Sequence, residues 1–292
     1  MNLNVYARTT VCKGEDIHFN HDLATHILVG VADGHGGAMA ARLCKTDVCG
    51  IVTEKMESAN AETRYLENVL TSTISELHKR CCALNGTSGC TLTIALIHKE
   101  TRKYVCANVG DSLALHVSPT TYKWITVSHR LQDNASECQR LKENISNICG
   151  PDNVPYGPPR LFPGGIAVSR SVGDSDCPYV SCEPNICSGT LKNEDALVIC
   201  SDGVWDSARC TKILKVVRDS YNPEFLCRLA QRRAIQDDAT ALIVTDHKMK
   251  TSIHTQLFSL FSRSGSSSSV SSEDSTSALF DEKSIMKVNV DT

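Results

Sequence analysis

Thr25-His26-Ile27-Leu28-Val29-Gly30-Val31-Ala32 runs directly into Asp33-Gly34-His35-Gly36-Gly37, so a β-branched apolar segment stops in an acidic, glycine-rich turn. A run of this length bounded by turn residues reads as a buried strand. Runs of the same character lie at residues 91–97, 104–109, 113–117, 166–169, 196–200 and 240–245, which makes seven predicted strands in all. Between the first two, Leu66, Val69, Leu70, Thr73, Ile74, Leu77 and Cys81 recur at three- and four-residue steps. That is the spacing of a helix with one buried face. Residues 38–56 are helical in composition, and helical character returns at 211–234. Short, hairpin-length connections such as 98–103 favour antiparallel sheets covered by helices, an α+β fold, over a strictly alternating parallel sheet.

The chain has 292 residues, 41% of them hydrophobic, which suffices for one large core. The composition changes near residue 247, and residues 263–277 are almost entirely Ser, Gly, Thr and acidic residues, too polar to bury themselves. We therefore expect a catalytic domain over 1–246 and a Ser-rich, disordered tail over 247–292. The tail reads either as a solvated extension or as a kinase target, since its serines flank Glu273 and Asp274. A net charge of −3 supplies no basic field for nucleic acid or an anionic membrane. No apolar run is long enough to span a bilayer, and the first residues do not resemble a secretion signal. The 15 cysteines are odd in number and scattered, with no C-x-x-C, which fits reduced thiols better than a disulfide framework or a zinc site. A monomer in the cytoplasm or nucleus, with no nucleic-acid or membrane partner, is the expectation.

Four acidic sites stand beside these strands: Glu15-Asp16, Asp33-Gly34, Asp202-Gly203 and Asp237-Asp238. One Asp-Gly after a strand is ordinarily a turn. Several on buried strands are different, because a sheet that brings the strand ends together gathers three or more carboxylates in one cleft. Clustered carboxylates repel and take up protons unless cations neutralise them, and oxygen-only ligation suits Mg²⁺ or Mn²⁺. Two such ions can activate a water and clamp a phosphoryl group in transfer. His35, two residues after Asp33, reads either as the acid that protonates a departing oxygen or as a satisfied turn histidine.

The chain resembles the type 2C metal-dependent Ser/Thr protein phosphatases (PPM family) through Gly14-Glu15-Asp16, Val31-Ala32-Asp33-Gly34-His35-Gly36-Gly37, Ser88-Gly89-Cys90-Thr91 and Asn108-Val109-Gly110-Asp111-Ser112. The resemblance continues through Ala167-Val168-Ser169-Arg170-Ser171-Val172-Gly173-Asp174, Cys200-Ser201-Asp202-Gly203-Val204-Trp205-Asp206 and Asp237-Asp238-Ala239-Thr240. All blocks occur in the family's order and together cover about residues 5 to 245. The resemblance implies two packed, mainly antiparallel β-sheets flanked by helices on both outer faces. It also implies hydrolysis of phosphoserine and phosphothreonine in phosphoprotein substrates by a metal-bridging hydroxide at a binuclear Mg²⁺ or Mn²⁺ centre. Carried over, Asp33 would bridge two ions, the Gly34 carbonyl would complete one of them, and Asp202 with Asp237 would hold the other. Glu15 and Asp16 would orient metal-bound water, and His35 would be the general acid. Asp111 and Asp174 read equally well as turn residues.

Two positions depart from the family pattern. Val11 stands where relatives carry an arginine that grips substrate phosphate, so Arg8 is expected to take that role, with Lys13 as the alternative. Ser128, in Ser128-His129-Arg130, replaces an aspartate associated with a third, weaker ion, and a third ion is therefore not expected. These departures motivate a second reading, a catalytically inactive relative that binds a partner through the same fold.

Overall fold

The computed structural model describes residues 2–56, 62–84, 87–146, 157–233 and 236–250. The tail from residue 251 onward lies outside the described residues. Three strands open the chain: β1 (Asn4–Thr10), β2 (Asp16–Asp22) and β3 (His26–His35). Helices α1 (Met39–Lys55) and α2 (Thr63–Ala83) follow. A meander of β4 (Gly89–His98), β5 (Lys103–Val109), β6 (Leu113–Val117) and β7 (Tyr122–Trp124) leads to a peripheral segment with α3 (Ala135–Leu141), β8 (Ile145–Ser146), β9 (Arg160–Leu161) and β10 (Val172–Gly173). The last third contains β11 (Asn185–Thr190), β12 (Ala196–Cys200), α4 (Asp202–Trp205), α5 (Cys210–Ser220), α6 (Pro223–Arg232) and β13 (Ala239–Thr245).

Two large sheets form, one in the order β1-β13-β12-β6-β7 and the other in the order β11-β5-β4-β3-β2, with β10 added beside β4, while β8 and β9 pair in a separate two-stranded sheet. The named strand pairs are antiparallel. Successive side chains alternate between faces, and here each face has a different neighbour. On β3, Val29 and Val31 enter the layer between the sheets with Leu197, Ile199, Leu242 and Val244. Leu28 and Ala32 face the other way, onto α1 and α2. On β12 and β13, Val198, Cys200, Ala241 and Ile243 turn outward under α5 and α6. The result is helices, sheet, sheet, helices, with three apolar layers between them.

The α2 residues singled out by their spacing are the buried face of that helix. The helical region near the end divides in two, because Tyr221 adopts a left-handed backbone that stops α5. Asn222 then caps α6 by accepting from the Glu224 N–H, and Pro223 occupies the first helical position. Six of the seven predicted strands match. The exception is 166–169, where Ile166 and Val168 make isolated bridges to Leu161 and Arg130 and join neither sheet. Strands β1, β2 and β11, and the short strands β7, β8, β9 and β10, lie outside the seven predicted runs. The β2 sequence Asp-Ile-His-Phe-Asn-His-Asp buries just Asp16 and Phe19, so it lacks the continuous apolar run on which the sequence reading relied.

The chain stays docked past β13: the Lys250 N–H donates to Ser220 O, and the Met249 N–H to the Tyr6 hydroxyl. Among the described residues no helix is long and apolar enough to cross a membrane. The described cysteines are free thiols.

Leu70 is fully buried between α2 and the sheet. Leu70→Ala should lower the unfolding free energy by about 2–5 kcal/mol, the range for a core Leu whose cavity is not refilled. Chemical denaturation measures this, and a loss under about 1 kcal/mol would mean that α2 is not packed as described.

Candidate functional site

Register decides which strand ends meet. Cys200, the last residue of β12, lies opposite both Leu113, the first of β6, and Ala241 near the start of β13. Asp111, Asp202 and Asp237-Asp238 therefore emerge at one end of the first sheet. On the second sheet Asp16 pairs directly with Asp33, and Asp33 with Thr91, at the same end. Odd positions of β3 face the other sheet, as Val29 and Val31 do, and Asp33 continues that row.

The loop from β1 to β2 is shaped by a residue that the sequence reading had treated as a mere neighbour of Asp237. The Asp238 carboxylate accepts five consecutive backbone N–H groups: Oδ1 from Cys12, Lys13 (2.7 Å) and Gly14 (3.1 Å), Oδ2 from Glu15 (2.6 Å) and Asp16 (2.9 Å). Burial alone would raise its pKa, but these donors outweigh burial and hold it down at about 2. The same loop is tied to the turn after β3, since Gly34 N–H donates to Glu15 O at 3.2 Å and Gly37 N–H to Glu15 Oε1 at 2.8 Å. Gly203 seals the other side. A Cβ there would stand 2.0 Å from the Asp238 carbonyl oxygen, so α4 can approach the β13 loop only without a side chain.

Asp33 has its pKa pushed well above the carboxylate range by burial and by repulsion from Asp16, Asp202, Asp111 and Asp237. Asp202 is raised to about 8, first by burial and then by Asp111, against the pull of Arg130. Asp16 is raised to about 6 by burial, opposed by a hydrogen bond from the Ser201 hydroxyl at 2.7 Å. A cluster that strains so hard toward neutrality calls for positive charge. Two side chains supply some of it, Arg130 through Asp111, Asp202 and Asp206, and Lys13 through Asp237 at 3.0 Å.

Among the described residues no group of three or more His, Cys, Asp and Glu side chains converges as a ready-made metal cage. The donors present are carboxylates and carbonyls, and Mg²⁺-type ions take few protein ligands and keep several waters. The set of Asp33, the Gly34 carbonyl, Asp202 and Asp237 therefore fits hard divalent cations in chemistry and charge.

His35 is fixed by a partner weighed from sequence as a turn residue. Its Nε2–H donates to Asp174 at 2.8 and 2.9 Å to the two oxygens, and Asp174 also accepts from the Ser171 hydroxyl. Burial disfavours a charged ring here, yet the Asp174 contact and charge prevail and the His35 pKa is raised. Asp174 sits in a left-handed backbone and packs against Gly89, where a Cβ would meet its carboxylate at 2.3 Å.

Arg8 is not brought to the cluster. It pairs with Ala241, which faces α6, and its carbonyl accepts from Cys227 Sγ on that helix. Period-two alternation thus turns it to the helix-covered face, away from the row that holds Asp33. Val11 is 68% exposed at the loop tip, and Lys13 is the cation that this loop brings to the acidic site, paired with Asp237.

The family model for protein phosphatase 2C matches residues 9–242. The chain is 29% identical over 222 residues to a probable protein phosphatase 2C 15 of Arabidopsis thaliana, a match that covers 71% of this chain and 50% of that protein. It is 27% identical over 233 residues to a probable protein phosphatase 2C 3 of Oryza sativa subsp. japonica, covering 75% and 48%. The chain thus spans about half the length of these curated relatives. Among solved structures, a C. elegans sex determining protein superposes with a TM-score of 0.72 at 20% identity, over 84% of this chain and 65% of that one. A serine-threonine phosphatase 2C from Toxoplasma gondii gives 0.68 at 19% identity, over 83% and 94%. At such identities the superpositions establish a shared fold.

The depressed pKa of Asp238 has a stability consequence with a definite sign. Its contribution is complete above the ordinary carboxylate pKa and is lost as pH falls toward about 2. Asp238→Ala should cost at least about 2 kcal/mol at neutral pH, since several N–H groups lose their acceptor. Between about pH 4 and pH 2 its stability should also fall less steeply than that of the parent. Urea unfolding across that window checks both, and parallel curves would remove Asp238 from its assigned place.

Proposed function

The chain belongs to the protein phosphatase 2C family, and from that membership we propose that it hydrolyses phosphoserine and phosphothreonine in proteins, using two divalent cations, Mg²⁺ or Mn²⁺. The observation that carries this reading is the meeting of Asp16, Asp33, Asp202 and Asp237, where the burial of the first three and the repulsion among these carboxylates demand cationic company. A pair of bound ions would supply Lewis-acid activation of water and neutralise charge on the transferring phosphoryl group.

The protein's own residues do the rest. Asp33, Asp202, Asp237 and the Gly34 carbonyl would hold the ions, and Asp16, fixed by Ser201, would orient water beside them. Asp238 keeps the Cys12–Asp16 loop closed over this end of the sheets. Lys13, an exposed ammonium beside Asp237, meets the incoming phosphate in place of the arginine absent at Val11. His35 carries the proton for the departing serine or threonine oxygen. Because Asp174 takes Nε2, donation falls to Nδ1. A raised pKa suits that task, since the ring must be protonated at working pH to act as an acid. An inactive, partner-binding relative is the second reading, favoured by the exposed Val11 and by Arg8 lying on the far face.

Asp33→Asn should abolish Mn²⁺ binding by calorimetry together with phosphate release from a phosphothreonine peptide, and chelator should silence the parent. Retained Mn²⁺ affinity in this variant would move the ions elsewhere.

Asp174→Asn keeps the shape of the partner but removes the charge that sustains a protonated His35. We expect kcat on a phosphopeptide to fall by about a hundredfold, the scale of general acid catalysis, with little change in KM. The loss should be smaller on p-nitrophenyl phosphate, whose leaving group needs little protonation. Equal losses on the two substrates would rule out the acid role.

A further inference from the structure

Arg130 holds a place in the site that the proposed reaction leaves unused. Its guanidinium joins three carboxylates from separate points of the fold: Nε donates to Asp111 Oδ2 at 2.9 Å, Nη2 to Asp202 Oδ2 at 2.6 Å, and Nη1 to both Asp206 oxygens at 3.2 and 2.9 Å. Asp111 precedes β6, while Asp202 opens α4 and Asp206 ends it. The Arg130 side chain is 19% exposed. A planar fork with five donors can satisfy three carboxylates together, which a single ammonium cannot do with the same geometry.

The backbone that carries this side chain is pinned from both directions. His129 exchanges hydrogen bonds with Gly110, donating its N–H to Gly110 O at 3.0 Å while its Nδ1 accepts the Gly110 N–H at 3.0 Å. Ser169 N–H donates to His129 O at 2.8 Å, Leu131 N–H to Ala167 O at 2.9 Å, and Arg130 itself bridges Val168. The guanidinium is therefore delivered to one point by a segment with little freedom to withdraw it.

Three carboxylates around one point are what a hard divalent cation would otherwise gather. Here the point is taken by a cation tethered to the chain, with no dissociation equilibrium of its own. We propose that Arg130 is a built-in cation that orients Asp202 and keeps divalent ions off the flank formed by Asp111, Asp202 and Asp206, confining them to the side lined by Asp16, Asp33 and Asp237. This rests on the reading of the carboxylate cluster as a metal centre. Arg130 is a positioning residue: it commits Asp202 Oδ2 and leaves Oδ1 as the oxygen offered to an ion.

The test counts ions on the full chain. Parent, Arg130→Gln and Asp206→Asn proteins, stripped with chelator, are dialysed against millimolar Mn²⁺ and the bound metal is measured by atomic emission, with melting temperatures recorded with and without Mn²⁺. Arg130→Gln should bind one more Mn²⁺ per chain than the parent and gain more in melting temperature from the metal. Asp206→Asn should bind the parental number, because the position it faces is already filled. Equal counts for Arg130→Gln and the parent overturn the proposal. If Arg130→Gln does not fold, Asp206→Asn decides: loss of one ion relative to the parent would show that an ion displaces Arg130, and the proposal falls. A parent that binds no Mn²⁺ beside an Arg130→Gln that binds one would refute the binuclear reading while sustaining the role of Arg130.

Discussion

Repulsion between like charges at one end of two sheets is the constraint around which this protein is organised. Asp16 and Asp33 stand opposite each other on adjacent antiparallel strands, an arrangement that is unfavourable by itself. Asp202 and Asp237 are then added from the other sheet. Such a cluster persists because the structure around it is over-determined, with five N–H groups on Asp238, a hydroxyl on Asp16 and a three-way guanidinium at Asp202. Stability spent on holding charges together has to come from elsewhere.

It comes from the three apolar layers. Side chains such as Leu28, Leu70, Ile74, Leu96 and Leu115 are fully buried, each contributing roughly 1.5–3 kcal/mol relative to exposure. The sheet-to-sheet layer matters most for the site, since Val29, Val31, Leu197 and Ile199 fix the distance between β3, which carries Asp33, and β12, which leads into Asp202. Close packing transmits misplacement as readily as it resists it. The charged end can therefore be kept in position by residues that never touch it.

How far the sequence told this depends on the kind of signal. Long apolar runs announced β3, β4, β5, β6, β12 and β13, and helical periodicity picked out the buried face of α2 residue by residue. Asp33, Asp202 and Asp237 were legible because each flanks such a run. Polar, half-exposed edge strands gave no comparable pattern, which is why β1, β2 and β11 were missed. The nearness of Arg8 to Val11 is visible in the sequence, whereas the side of the sheet it occupies depends on its register with Ala241, which is not. Arg130, Asp174 and Asp238 act across 72, 139 and 226 positions of sequence. Nothing local distinguishes them from ordinary surface or turn residues until the strands are paired.

The pairing of β1 with β13 joins the first strand of the fold to its last. During vectorial synthesis β1 emerges from the ribosome early and must wait as an unpaired edge until β13 follows, after β2 to β5 and their helices have had time to form their own layer. Until Asp238 arrives with that final strand, the Cys12–Asp16 loop has its tie to the turn after β3 through Glu15 but lacks the carboxylate that accepts its five N–H groups. A nascent or prematurely terminated chain can thus be substantially folded and still lack the closed loop beside Asp33.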